Sequence, residues 1–134
     1  MSLRFTLACV AAFCLLPQCL FAQARPDAPS PVGVWRGTSL CQVRPSSCND
    51  ETVVFRISRA NAADSLAIDG RRVVNGQEVE MGVLACRFAP AGAQVTCAMP
   101  NGVWRFTIRA DSLVGELRSR DSTKVRDVRT SRSR

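Results

Sequence analysis

Cysteine is the residue in this sequence with the most chemistry to offer. Seven are present: Cys9, Cys14, Cys19, Cys41, Cys48, Cys86 and Cys97. Histidine and tyrosine are both absent. The missing histidine removes the most common general base and metal ligand, which excludes a Ser-His-Asp triad and a histidine-held zinc. No Cys-x-x-Cys occurs, so neither a redox pair nor a thiolate metal site is expected. Two carboxylate groupings remain. Glu78 and Glu80 lie two apart and share a strand face, where paired carboxylates can do acid–base chemistry. Cys48–Asn49–Asp50–Glu51 is a compact polar cluster suited to a cation or to capping a turn. Neither has a recognisable catalytic partner, and the solvent-facing strand and the turn are the favoured readings. No catalytic residue, metal or cofactor is expected, and the chain is read as a non-enzyme.

The chain has 134 residues and a net charge of +7. Its first 24 residues read as a secretory signal peptide. Arg4 precedes an apolar run from Phe5 to Leu16, too short to cross a bilayer. Ala22–Gln23–Ala24 supplies the small-x-small cleavage pattern. Cleavage after Ala24 predicts an exported, periplasmic or secreted chain of 110 residues, 25–134, with no transmembrane span. A lipid anchor on Cys19 is disfavoured because Gln18 stands where a lipobox needs a small residue. Residues 25–32 form a proline-rich extended leader with little reason to pack.

The exported part keeps Cys41, Cys48, Cys86 and Cys97, an even set that suits two disulfides in an oxidising compartment. Four cysteines allow three pairings. The local one, Cys41–Cys48 with Cys86–Cys97, is favoured. Each closed loop should stabilise by about 2.5–3 kcal/mol, which matters for a domain this small.

From Gly33 the chain alternates short Val, Ile, Phe and Thr-rich runs with turn residues. Eight strands are predicted, over 33–41, 51–58, 65–74, 78–88, 94–99, 102–109, 112–119 and 124–130. Asn75–Gly76 is read as a hairpin turn, and Gly70 as a kink or bulge. A symmetric hairpin around Ala91–Gly92 would set Cys86 opposite Cys97 at a separation a disulfide accepts. Eight sequential antiparallel strands with short links predict an all-β, up-and-down, eight-stranded barrel over 33–130, or a strongly curved sheet. Closure removes exposed edges. Residues 131–134 are a basic tail, and the chain is expected to fray after Val128.

The tetrapeptide GVWR occurs at Gly33–Arg36 and at Gly102–Arg105 and holds the only two tryptophans. Trp104 shares its face with Phe106 and Ile108, so it reads as core. Trp35 shares its face with Gly37 and Ser39, so it reads as a barrel-end closer or a pocket wall. Gly33–Val34–Trp35 resembles the G-x-W that opens the first strand of lipocalins and other calycin barrels. That resemblance implies that Trp35 closes one barrel end with a basic residue of the last strand, Arg126 or Arg129, packed across it. The stretch from Gly33 to Glu51 is also similar to small exported bacterial proteins.

An eight-stranded barrel can hold one small ligand. The expected function is therefore the binding of a small apolar ligand by a monomer, near Trp35, Phe55, Met81, Trp104 and Phe106, with Arg126 at the barrel end. The alternative is an envelope interaction protein. In that role it would either inhibit a protease through an arm at Pro26–Pro31, as bacterial metalloprotease inhibitors of similar architecture do, or bind anionic surfaces through its basic C-terminus. Nucleic-acid binding is not expected, since no aromatic residue follows Phe106 to stack on bases.

Overall fold

The computed structural model describes residues 28–134, so the signal-peptide reading lies outside the described residues. The described chain is an antiparallel barrel closed in sequence order. Its strands are β1 (Gly33–Cys41), β2 (Glu51–Arg59), β3 (Ser65–Val74), β4 (Gln77–Ala89), β5 (Gln94–Met99), β6 (Gly102–Arg109), β7 (Ser112–Ser119) and β8 (Lys124–Arg132). Every predicted strand is present, with ends within two residues of expectation. Among the described residues no helix is long and apolar enough to cross a membrane.

Local chemistry explains the turns. Asn75 and Gly76 both have positive φ, at 51° and 78°, as a two-residue hairpin requires. The β3–β4 register shifts between Gly70 and Arg71; the extra residue is Met81 on β4, so the irregularity read at Gly70 falls on the facing strand. The alternating strands put Val53, Phe55, Ile57, Phe106, Ile108 and Leu113 into one buried cluster. The disulfides are Cys41–Cys48 and Cys86–Cys97. The second sits where the β4–β5 register, Phe88 opposite Val95, projects Cys86 onto Cys97. Their Cα atoms are 4.2 Å apart, close to the spacing of a non-hydrogen-bonded antiparallel pair.

Closure runs through β1 and β8, with Trp35 opposite Arg132 and Cys41 opposite Arg126. At Gly37 a Cβ would stand 2.1 Å from the Arg129 carbonyl oxygen. Only glycine lets the two backbones approach this closely.

The C-terminus corrects the sequence reading. β8 does not stop at Val128 or at 130; it continues to Arg132. Thr130 is buried and its Oγ1 donates to the Leu113 carbonyl at 3.0 Å. The Arg132 N–H donates to the Asp111 carbonyl, and the Ser133 N–H to that of Val34. A polar segment stays ordered here because strands on both sides satisfy its backbone. The leader also packs where it meets the barrel. Pro31 is buried, and its carbonyl accepts a hydrogen bond from Trp35 Nε1–H at 2.8 Å.

Candidate functional site

One end of the barrel is sealed. Trp35 has 0 % exposure. The Arg132 guanidinium lies 4.2 Å from its ring centroid, a cation–π distance. Arg132 also donates to the Val32 and Ser30 carbonyls, at 2.8 and 2.7 Å. One side chain thus covers the ring and pins the leader across the barrel mouth. The expected partner was Arg126 or Arg129, and the structure corrects this to Arg132. In an antiparallel closure the start of β1 faces the end of β8, so the basic residue must come from the last turn of chain.

Arg126 stands at the other end, inside the mouth. Its Nη1 donates to Ser39 Oγ at 3.1 Å and to the Asn49 carbonyl at 3.2 Å, and lies 3.3 Å from Glu51. Glu51 also faces Arg72 at 3.6 Å. Asp50 accepts the Cys41 N–H and an Arg44 N–H, both at 2.8 Å. The Cys48–Glu51 cluster therefore ties off the disulfide loop and starts β2.

The cavity lies to the side, between β4 and the β5–β6 hairpin. Its volume is 340 Å³, within the range of small-ligand pockets. Phe55 from β2 and Ile68 and Gly70 from β3 form the back. Met81, Gly82, Val83 and Leu84 from β4 form one lip, with Met99, Trp104 and Phe106 facing them. The aromatic wall is continuous. Trp104 stacks on Phe106 with centroids 5.3 Å apart, and Phe106 meets Phe55 edge to face at 5.7 Å. Among the described residues no ionisable side chain lines the cavity, and the lining offers contact area and dispersion.

Four of the six expected ligand-binding residues meet here: Phe55, Met81, Trp104 and Phe106. Trp35 and Arg126 do not line the cavity. Trp35 sits at the sealed barrel end, one of the two places read for it, while the cavity wall falls to Trp104, which was read as core. Trp35 is wholly buried, while Trp104 is half-buried on the cavity wall. Trp35 is covered by the leader and Arg132, neither of which shares its strand face, so face composition did not show what would cover it. Gly70, already marked as a bulge, was the available hint to the cavity's back wall. Leu84 and Met99 carried none.

The cavity opens because β4 and β5 part company. Their ladder holds three pairs, Arg87–Thr96, Phe88–Val95 and Ala89–Gln94, with the Cys86–Cys97 bond just beyond. Past it, among the described residues, β4 pairs with β3 alone, down to Gln77.

Outside the barrel, Glu78 bridges Arg36 at 2.7 Å and Arg56 at 2.6 Å. The Arg56 hydrogen bond, with Arg36 adding to it, holds the Glu78 carboxyl below its ordinary value against the opposing effect of desolvation. Hydrogen bonding to Arg118 lowers Glu116 in the same way. Val54, opposite Arg36 on β1 and Arg71 on β3, is fully buried on this outer face. Among the described residues no three His, Cys, Asp or Glu side chains form a group that could hold a metal.

Comparison with protein-family models, curated proteins and solved structures finds no match to this chain.

Proposed function

We propose that this chain is a non-enzymatic, exported binding barrel of lipocalin-like design that holds a small apolar molecule in the side cavity. The observation that carries the reading is the 340 Å³ space walled by Phe55, Ile68, Met81, Leu84, Trp104 and Phe106. The space is apolar and opens along the β4–β5 seam, which suits entry of a small apolar guest. Two disulfides support an oxidising, exported setting.

The test uses Trp35→Phe, which leaves Trp104 as the sole indole. Titration with N-phenyl-1-naphthylamine should quench Trp104 emission and raise dye fluorescence, saturably and one to one. A flat titration by both signals would end the small-molecule reading. Cell fractionation with mass spectrometry of the mature N-terminus tests export; an intact Met1 in the cytoplasm would refute it.

A further inference from the structure

We propose that the free edge of β4, from Gln77 to Ala85, captures an extended segment of another protein in which apolar residues alternate with basic ones. The segment pairs its backbone with β4 and sets an apolar side chain into the cavity.

The backbone geometry leads to this edge. The Phe88 N–H donates to the Asp64 carbonyl at 2.8 Å, toward β3. Backbone groups alternate sides along a strand, so Val83 and Ala85 aim theirs away from β3. On the other lip, the Ile108 N–H donates to the Ala93 carbonyl at 2.9 Å, so Ala98 aims its groups away from β6. The register would set Ala85 opposite Ala98, but the ladder ends at Arg87–Thr96. Two strand edges thus face a common opening, joined at its base by the Cys86–Cys97 bond.

The side chains on this edge are unlike those of a guarded one. Edge strands normally carry lysine, proline or a covering element. Here Val79, Met81 and Val83 are exposed, Val83 by 61 %. They are three of the five exposed large apolar residues among those described.

Charge selects the occupant. The nearby arginines are engaged: Arg36 and Arg56 by Glu78, Arg71 by Asp69 and Arg72 by Glu51. Glu80 is exposed; Arg71, opposite it in the β3–β4 register, gives its hydrogen bonds to Asp69, and Glu80 forms no salt bridge among the described residues. A strand laid on β4 puts its outward residues beside Glu80, where a basic side chain is favoured and an acidic one penalised. A second copy of this chain would bring its own Glu80 to the same edge, which like-charge repulsion disfavours.

Fluorescence anisotropy with the full chain and labelled peptides tests the pairing. The probe is acetyl-Val-Lys-Val-Lys-Val-Lys-amide. The controls are the same peptide with Glu for Lys, and the Lys peptide N-methylated at alternate residues. The Lys peptide should bind. N-methylation should weaken it by about tenfold or more, since it removes two or more hydrogen bonds. Glu80→Lys should weaken it by about threefold and improve the Glu peptide. Ala85→Pro removes an N–H that serves no barrel hydrogen bond; it should leave thermal unfolding near wild type and abolish peptide binding. No binding by any peptide, binding indifferent to N-methylation, or equal affinity for the Lys and Glu peptides would each overturn the proposal. So would a dimer in analytical ultracentrifugation that Ala85→Pro dissolves, because the edge would then belong to a second copy. The pairing rests on the same apolar cavity as the small-molecule reading, yet the two fail separately. The dye titration reports the cavity alone, and the N-methylated peptide reports the edge.

Discussion

Filling the cavity should make the protein more stable and less able to bind. At Gly70 an added Cβ would have as its nearest atoms the Gly82 carbonyl oxygen at 3.6 Å, Met81 Cε at 3.8 Å and Phe55 Cδ1 at 3.8 Å. These are ordinary contacts, so the Cβ of Gly70→Leu fits without moving the backbone, and because Gly70 lines the cavity the remaining carbons should enter it. Replacing glycine in an unstrained strand position contributes about 0.4–1 kcal/mol through the unfolded chain. Three further carbons leaving water add about 0.8 kcal/mol each. Ordering the leucine side chain costs about 0.5–1 kcal/mol. The net is a stabilisation of about 2 kcal/mol, or a rise in Tm of about 10 °C for a domain of this size. Urea unfolding at unchanged m-value measures the first quantity, and N-phenyl-1-naphthylamine titration the second, where affinity should fall by at least about tenfold. A loss of stability would mean that the space beside Gly70 is occupied by packed atoms. A stabilised protein with undiminished dye affinity would place the ligand elsewhere. Either result refutes the reasoning, whose distinctive claim is the opposite sign of the two changes.

Other perturbations probe the parts that hold the cavity in place. Arg132→Ala removes the cation–π contact and both bonds to the leader. It should cost about 1–2 kcal/mol and expose Trp35, seen as faster exchange of its indole N–H by NMR; unchanged exchange would deny Arg132 its sealing role. Replacing Cys86 and Cys97 together by Ser opens a twelve-residue loop and should lower stability by about 3 kcal/mol. Because only three backbone pairs remain at that seam, hydrogen exchange should rise first in β4 and β5; uniform exchange across the barrel would count against a weak seam. Glu78 and Glu116 are held below their ordinary carboxylate values. Their contribution is fully present above the unfolded-state value of about 4.3 and is lost as pH falls through the lower folded values. Thermal unfolding should therefore be flat from neutral pH to about 5 and decline below it. Glu78→Gln should shrink that decline; an unaltered acid limb would show that the bridge adds no pH-dependent stability.

Local rules carried most of the fold. Period-two alternation set the strands, Asn75–Gly76 the β3–β4 turn, and the spacing about Ala91–Gly92 the meeting of Cys86 with Cys97. These depend on neighbours in sequence, and an up-and-down barrel pairs each strand with its neighbours, so local reading reaches almost the whole ladder. It reached four cavity residues for the same reason: Phe55, Trp104 and Phe106 lie on clearly inward faces, and Met81 is a large apolar residue on β4.

The one non-local pairing, β1 with β8, is where sequence reading gave way. It decides that Arg132, and not Arg126 or Arg129, covers Trp35, and it keeps the polar end of β8 in register. Tertiary structure alone also decided that β4 leaves β5 after the disulfide. Whether two facing strands stay paired depends on the bulge opposite Gly70, on barrel curvature and on closure far away at β8, and none of these is written in the residues of β4 or β5. The sequence by itself thus determined the strands, the disulfides and the inward faces, because each is a short-range property of the chain. The choice of Arg132 as the residue that seals Trp35, the open flank and the place of Trp104 on the cavity wall were decided only when distant strands closed the barrel.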